Sequence, residues 1–455
     1  MSKSVAQITT SHHFKPYPEY KDSGVDWLGK IPAHWEIKRL KHLAMLNPEA
    51  LPEDTDPTLE MVYVDIGGVS SLGRIVESEP LTFAAAPSRA RRLVRDGDVI
   101  VSTVRTYLRA IAPISDPEPG MIVSTGFAVV RPEDGLTTGY AGYALRTPYF
   151  VERVVANSKG VSFPAINESE MATYELAVPP EPEQHGIAAF LDRKTAKIDA
   201  LVVKNERLIE LLQEKRTALI TQAVTKGLNP TVPMKDSGVD WLGQIPAHWE
   251  VKRIRDIAES LQTGPFGSQL HADEYVPGGC PVINPANLQD GQLVPDWDCT
   301  VDEATARRLE HHRLAVDDIL LARRGELGRC GLTTQQQKGW VCGTGSLRIR
   351  TRRDLARPRF LTHLLSTSGV RDWLQLQSVG STMQNLNTSI IGRITVALAI
   401  PAEQDEIVAR IDCETGRVDS LIAKVRNAIA RLKELRTALI SAAVTGIIDI
   451  RGEAA

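Results

Sequence analysis

A chain of 455 residues, 42% hydrophobic and 24% charged, carries the apolar mass of two or three globular cores rather than one. A formal net charge of −3 excludes a protein that coats nucleic acid indiscriminately, while leaving room for local basic patches. Five cysteines without a CxxC pair exclude a disulfide framework and a zinc knuckle, and no apolar run is long enough for a membrane span, so a soluble, cytoplasmic chain with no membrane contact is expected.

Residues 1–20 are polar and aperiodic and read as a flexible tail; the adjacent His12 and His13 have no further ligand at helical or hairpin spacing. The segment KDSGVDWLGKIPAHWEIKRL at Lys21–Leu40 then returns as KDSGVDWLGQIPAHWEVKRI at Lys235–Ile254, with three of twenty positions changed. Trp27, Leu28, Ile31, Pro32 and Trp35 are large apolar groups in a Gly/Pro-punctuated stretch, which suits plugging a groove, and the second copy should plug an equivalent one. A rival reading lies in the same residues. Asp26 with Glu36-Ile37-Lys38, and Asp240 with Glu250-Val251-Lys252, follow the order of a magnesium nuclease site, although the stretch between them reads as loop.

From Lys41 to Pro180 the pattern is mixed. Val62–Ile66, Asp98–Thr103, Arg109–Ile114 and Ile122–Arg131 read as strands; Tyr140–Arg146 and Pro148–Asn157 read as helices, the second opened by a proline. An α/β domain with its helices late is expected over 21–180. A second copy over 229–400 keeps nearly constant spacing, from Asp98/Asp318 through Arg109/Arg329 to Asn167/Asn387. Apolar positions match while polar ones diverge: Ser102-Thr103-Val104-Arg105 faces Ala322-Arg323-Arg324-Gly325.

That divergence selects the candidate DNA contacts. In the first domain Arg91, Arg92, Arg105 and Arg109 suit phosphate or guanine, with Ser102, Thr103 and Tyr107 beside them; Arg323, Arg324 and Arg329 are the second domain's set. The late loops add Lys159, Ser162 and Asn167, and Thr382, Gln384, Asn385 and Asn387, whose amides and hydroxyls can read base edges or simply stabilise their own turns. Gly264, Phe266, Ser268 and Gln269 belong to a shaped Gly-rich turn that lacks the lysine of a phosphate loop.

Two long helices, over 181–228 and within 401–455, follow the domains. Ile198, Leu201, Asn205, Leu208, Leu212, Lys215, Leu219 and Gln222 step by threes and fours, as a coiled-coil seam does, and the seam recurs as Val418, Leu421, Val425, Ala428, Leu432, Leu435, Leu439 and Ala442. Glu183-Gln184 and Glu403-Gln404 open the two helices, and both contain RTALI. Antiparallel packing about a pseudo-twofold is expected, with the helices as a rigid spacer between two α/β domains. It would bring the end of the second helix, near Val444, beside Lys21–Trp35. No Walker motif, S-adenosylmethionine loop or nucleophile elbow is present, so the chain reads as a binder rather than a catalyst.

The doubled WLGxIPxHWExKRL, the stretches YVDIGGVSSLGRI, GDVIVSTVRTYLRAIA and VSTGFAVVRP, the STMQNLNTSI loop followed by xPxxEQ, and the paired helices together resemble the specificity subunit of type I restriction-modification systems. The resemblance covers almost the whole chain. It implies two target-recognition domains reading a bipartite, asymmetric site in double-stranded DNA, with the helices as the ruler. It also implies partners: two methylation subunits using S-adenosylmethionine, and restriction and translocation subunits using ATP and magnesium, with no catalytic residue, metal or cofactor in this chain. The loop KGVSFPAINESE departs from the Gln/Asn-rich form of the second copy, which weakens the implied roles of Ser162 and Asn167. Outside the family, the competing readings are the nuclease above and a coiled-coil scaffold with no DNA role.

Overall fold

The computed structural model describes residues 14–70, 72–160, 164–289, 291–378 and 386–453. The chain divides into two units, one holding everything up to Glu206 together with the stretch from Arg426 onward, the other Arg207–Val425. The division passes through both long helices.

The first unit is built on β1 (Glu36–Arg39), β2 (Ala44–Leu46), β3 (Glu60–Val64), β4 (Glu79–Thr82), β5 (Ala90–Leu93), β6 (Val99–Ser102), β7 (Ile111–Pro113), β8 (Met121–Ser124) and β9 (Phe127–Pro132). Helices α1 (Thr138–Ala144), α2 (Pro148–Ala156) and α3 (Glu168–Met171) follow, then β10 (Glu175–Val178) and the 46-residue α4 (Glu181–Lys226). One sheet runs β2-β9-β6-β7 and another β4-β3-β8-β5, while β10 pairs antiparallel with β1. Strand β6 is apolar and β-branched because both its faces are covered: Val99, Ile100 and Val101 are fully buried. The stretch Ile122–Arg131, expected as one strand, is two in different sheets, β8 and β9. The chain turns at Thr125-Gly126, where a Cβ on Gly126 would come within 2.7 Å of Ile66.

The second unit repeats this plan with β11 (Glu250–Arg253), β12 (Ala258–Thr263), β13 (Ile319–Ala322), β14 (Cys330–Leu332) and β15 (Ser346–Thr351). It continues with α5 (Pro358–Leu365), α6 (Ser368–Ser378), α7 (Thr388–Gly392), β16 (Thr395–Leu398) and the 44-residue α8 (Pro401–Val444). The sheet β12-β15-β13-β14 matches β2-β9-β6-β7, and β11 pairs with β16 as β1 does with β10.

The repeated Glu-Gln is what docks each domain on its helix. Glu183 accepts from Trp35 Nε1 at 3.2 Å, from His34 and from the Tyr17 hydroxyl; Glu403 accepts from Trp249 Nε1 at 3.0 Å and from His248. Both tryptophans are fully buried, so each indole N–H needs that partner. Gln184 accepts from Thr137 N and donates to Gly135 O and Pro179 O; Gln404 does the same with Arg357 N, Leu355 O and Ala399 O. A side chain with both donor and acceptor is required there, which is why glutamine stands at both positions.

Within each unit the helices run antiparallel. Asp199 bonds Arg436 at 3.0 Å in the first unit and Arg216 bonds Asp419 at 3.0 Å in the second, so moving forward on α4 is moving back on α8. Ten of the sixteen expected seam positions hold. Ile198, Asn205, Leu212 and Leu219, and Val418, Val425, Leu432, Leu435, Leu439 and Ala442, face inward or are half-buried, but Leu201, Leu208, Lys215, Gln222, Leu421 and Ala428 are exposed, and Val202, Ile209, Ile422 and Ile429 carry the inward face instead. On α4 and early in α8 the alternate positions shift by one residue, and Arg216, not Lys215, reaches Asp419; late in α8 Leu435 stays half-buried, with Arg436 beside it reaching Asp199.

The end of α8 lies where the repeat places it. Tyr20 donates its hydroxyl to Gly446 O at 3.0 Å, and a Cβ on Gly446 would meet Pro32 at 2.3 Å. The N-terminal stretch differs from expectation: Phe14 and Tyr17 are buried and Asp449 N donates to Lys15 O at 2.7 Å, so residues 14–20 are anchored to the core by two aromatic side chains. His12 and His13 lie outside the described residues. Cys330 and Cys342 are buried, and burial pushes both thiols up to about 12.

Candidate nucleic-acid interface

In the first unit, β6 and β7 are joined by a single 3-10 turn, Thr106–Leu108, flanked by Arg105 and Arg109. Both arginines take left-handed backbone (φ 52° and 54°), a conformation that branched or bulky residues avoid and that must be held by its surroundings. The surroundings do hold it. Thr106 Oγ1 lies 2.8 Å from Ser158 Oγ, Arg105 N donates to Pro164 O, and the Lys159 backbone exchanges two hydrogen bonds with Ala165. The turn is thus stitched to the loop after α2, which brings exposed Arg105, Tyr107, Arg109 and Lys159 to one end of the sheet. Tyr107 is 54% exposed and its neighbour Leu108 39%, an apolar ledge beside three cations. Sequence reasoning missed Leu108 and Ser158; the only signal was an apolar pair inside a turn.

Other candidates of this unit serve the scaffold. Ser102 and Thr103 are buried, and Thr103 Oγ1 donates to Gly126 O at 3.0 Å, so these hydroxyls face inward rather than toward a ligand. Arg91 lies over the Phe83 ring and donates to Ala90 O, and Arg92 pairs with Glu168 at 3.4 Å. Asn167 accepts from Ser169 N as the N-cap of α3, leaving its NH2 group as what it can offer a base. Ser162 lies outside the described residues.

In the second unit the matching position is built differently. Arg323 is buried at the end of β13, its guanidinium 6.0 Å from the ring centre of Phe266, which is 55% exposed. Burial, and then the charge of Arg324, hold the Arg323 pKa below the usual value. Phe266 N donates to Gln269 Oε1 at 3.0 Å, closing a turn that also exposes Ser268. Gly264 lets that turn pass against the backbone at Gly343, where a Cβ would clash with the Gly343 carbonyl oxygen. Arg324 is exposed; Arg329 is tied to Glu326. Asn387 caps α7 through Ile390 N, as Asn167 caps α3. Thr382, Gln384 and Asn385 lie outside the described residues.

One pair of backbone bonds fixes the correspondence. Ile166 N donates to Thr103 O at 2.8 Å, and Leu386 N donates to Arg323 O at 3.0 Å. The same frame therefore presents Arg105, Tyr107 and Arg109 in one unit and Arg324 and Phe266 in the other, where Arg323 is buried at the strand end. The nuclease order does not assemble: Glu36 and Lys38 bond each other at 2.7 Å on the exposed side of β1, Glu250 and Lys252 do so at 2.8 Å on β11, and Asp26 lies in a turn. Among the described residues no group of three or more His, Cys, Asp or Glu side chains is placed to hold a metal, and no helix is long and apolar enough to cross a membrane.

The model of the type I restriction modification DNA specificity domain matches residues 92–211 and 246–430. With that match over more than half its length, the chain belongs to this family, as a DNA-specificity subunit of a type I restriction-modification system. It is similar to the type I restriction enzyme EcoBI specificity subunit of Escherichia coli, 23% identical over 72% of this chain and 69% of that one. It is similar to the EcoKI specificity subunit of Escherichia coli strain K12, at 24% over 70% and 67%. In fold it is similar to a chain from a structure describing complex assembly and conformational transition of the type I R-M system (TM-score 0.65, 24% identity, 91% and 98% covered). It also resembles the HsdS subunit from Thermoanaerobacter tengcongensis (TM-score 0.50, 21% identity, 92% and 98% covered).

Proposed function

We propose that this chain reads a bipartite, asymmetric site in double-stranded DNA, one half-site per unit, and does no chemistry itself. The observation that carries this is the shared frame with unlike tips: Thr103 O and Arg323 O receive equivalent backbone bonds, yet the exposed groups around them differ. A duplicated reader with different side chains reads two different words. Arg105, Tyr107, Arg109 and Lys159 are the contacts of the first unit, and Arg324, Phe266 and Ser268 those of the second. The late-loop residues Ser162, Thr382, Gln384 and Asn385 complete the two sets. The length of α4 and α8 sets the number of unread bases. Two methylation subunits using S-adenosylmethionine, and restriction subunits using ATP and magnesium, bring the catalysis, and the assembly works in the cytoplasm. Sequencing methylated bases in cells with and without this chain tests the proposal. A two-part modified motif that vanishes with the chain is expected; a continuous motif, or one unchanged by the deletion, overturns it.

A further inference from the structure

The two units differ at one place where the repeat predicts sameness. In the first unit the loop Leu72-Gly73-Arg74 is laid against the helix pair and α1. Arg74 bonds Asp199 Oδ2 at 2.7 Å, while Leu72 O accepts from Arg146 at 3.0 Å and from Arg436 at 3.3 Å. Asp199 Oδ1 takes Arg436 at 3.0 Å, so the carboxylate is used on both oxygens and its side chain is 11% exposed. Gly73, with φ 78°, packs where a Cβ would be 2.4 Å from Arg146.

In the second unit the same helix residues face an open cleft of about 1090 Å³, lined by both helices, α5 and the loop at Gly291-Gln292. Asp419 bonds Arg216 through Oδ1 only, at 3.0 Å, and its side chain is 53% exposed. Gly291 repeats the φ of Gly73 at 80° and bridges Gly331, but Gln292 stands where Arg74 would reach across. Deeper in the cleft, His363 Nε2 is buried with no hydrogen-bond partner among the described residues, whereas its counterpart Tyr143 donates to Asp192 at 2.6 Å.

We infer that this cleft docks a loop of another polypeptide, one that presents an outward backbone carbonyl and, two residues later, a basic side chain. The first unit supplies the template, because Leu72 O and Arg74 satisfy the very groups that Arg216 and Asp419 leave open. A cation flanked by a carbonyl meets one acceptor, Asp419, and one donor, Arg216, already in place. The docking surface is independent of the DNA-reading tips, so one can fail without the other.

The probe is the chain's own loop, a cyclised peptide of residues Val69–Val76 (VSSLGRIV), titrated against the full chain by calorimetry and followed by hydrogen exchange. Saturable binding is expected, with protection confined to Arg359–Arg371 and Asp412–Asp419. Asp419→Asn should weaken it by about tenfold or more, and a peptide with glutamate for arginine should not bind. Gln292→Arg, which puts the cation in place from within, should displace the peptide while DNA binding stays unchanged. Circular dichroism checks that both variants are folded. Absence of saturable binding, or binding that survives both substitutions, overturns the inference.

Discussion

Glu183 holds the buried indole of Trp35 at 3.2 Å, and its counterpart Glu403 holds that of Trp249 at 3.0 Å. Each contact anchors a domain to the first turn of a long helix, where a carboxylate also suits the helix dipole. Glu403→Ala strands the Trp249 N–H in the core and should cost about 1–3 kcal/mol. Glu183→Ala should cost more, because Tyr17 loses its acceptor as well. Glutamine at either position keeps an acceptor and should recover part of the loss; urea unfolding midpoints check the order.

The exposed leucines and buried β-branched residues of the helices separate two seam phases. Ile422 is 6% exposed and Leu421 48%. Ile422→Ala should therefore destabilise by about 2–4 kcal/mol, and Leu421→Ala by less than about 0.5 kcal/mol. Equal effects in thermal unfolding would mean that the helices meet on the leucine face after all.

Acid sensitivity should come in part from His363. Burial, with Arg359 and Arg216 adding to it against the pull of Asp412, brings its imidazole down to about 4. The unfolded group titrates near 6.5, so above about pH 6.5 it is neutral in both states and has no effect. As pH falls from there toward 4 the unfolded chain takes up the proton first, and the second unit loses up to about 3 kcal/mol. His363→Gln should flatten the dependence of the unfolding midpoint between those pH values.

Arg109 and Arg324 are predicted to read different half-sites. Arg109→Asn retains a residue that tolerates left-handed backbone. It should lower specific affinity by about 1–3 kcal/mol and relax selectivity in one half-site only. Arg324→Ala should do so in the other. If either arginine contacts phosphate, the slope of log affinity against log salt falls by about 1 instead, with selectivity kept. Fluorescence anisotropy on duplexes altered in one half at a time distinguishes the outcomes.

The duplication was plain in the sequence because a repeated Trp segment, a repeated Glu-Gln and a repeated RTALI constrain one another, and with them came the repeated fold and the antiparallel helices. The seam phase was not. Leu201-Val202 and Leu208-Ile209 offer two adjacent apolar residues at each step, and only the partner aspartates of Arg216 and Arg436 decide between them. Asn167 and Asn387 illustrate a second limit: an asparagine before a short helix can cap it or read a base, and its cap bond to Ser169 or Ile390 appears only once the backbone is placed. Ser102 and Thr103 lie at a strand end where the period of two alone does not say which way the chain turns its hydroxyls.

The first unit draws Tyr20 and Pro32 against Gly446, and Lys15 against Asp449, so its core is closed by residues made long after its opening, 426 positions later in the case of Tyr20 and Gly446. On the ribosome, Arg207–Val425 can close while the opening half of the protein still waits for its final helix turns. A premature stop between Arg426 and Gly446 would accordingly spare the later-made reader and leave the earlier-made one exposed to chaperones and proteases.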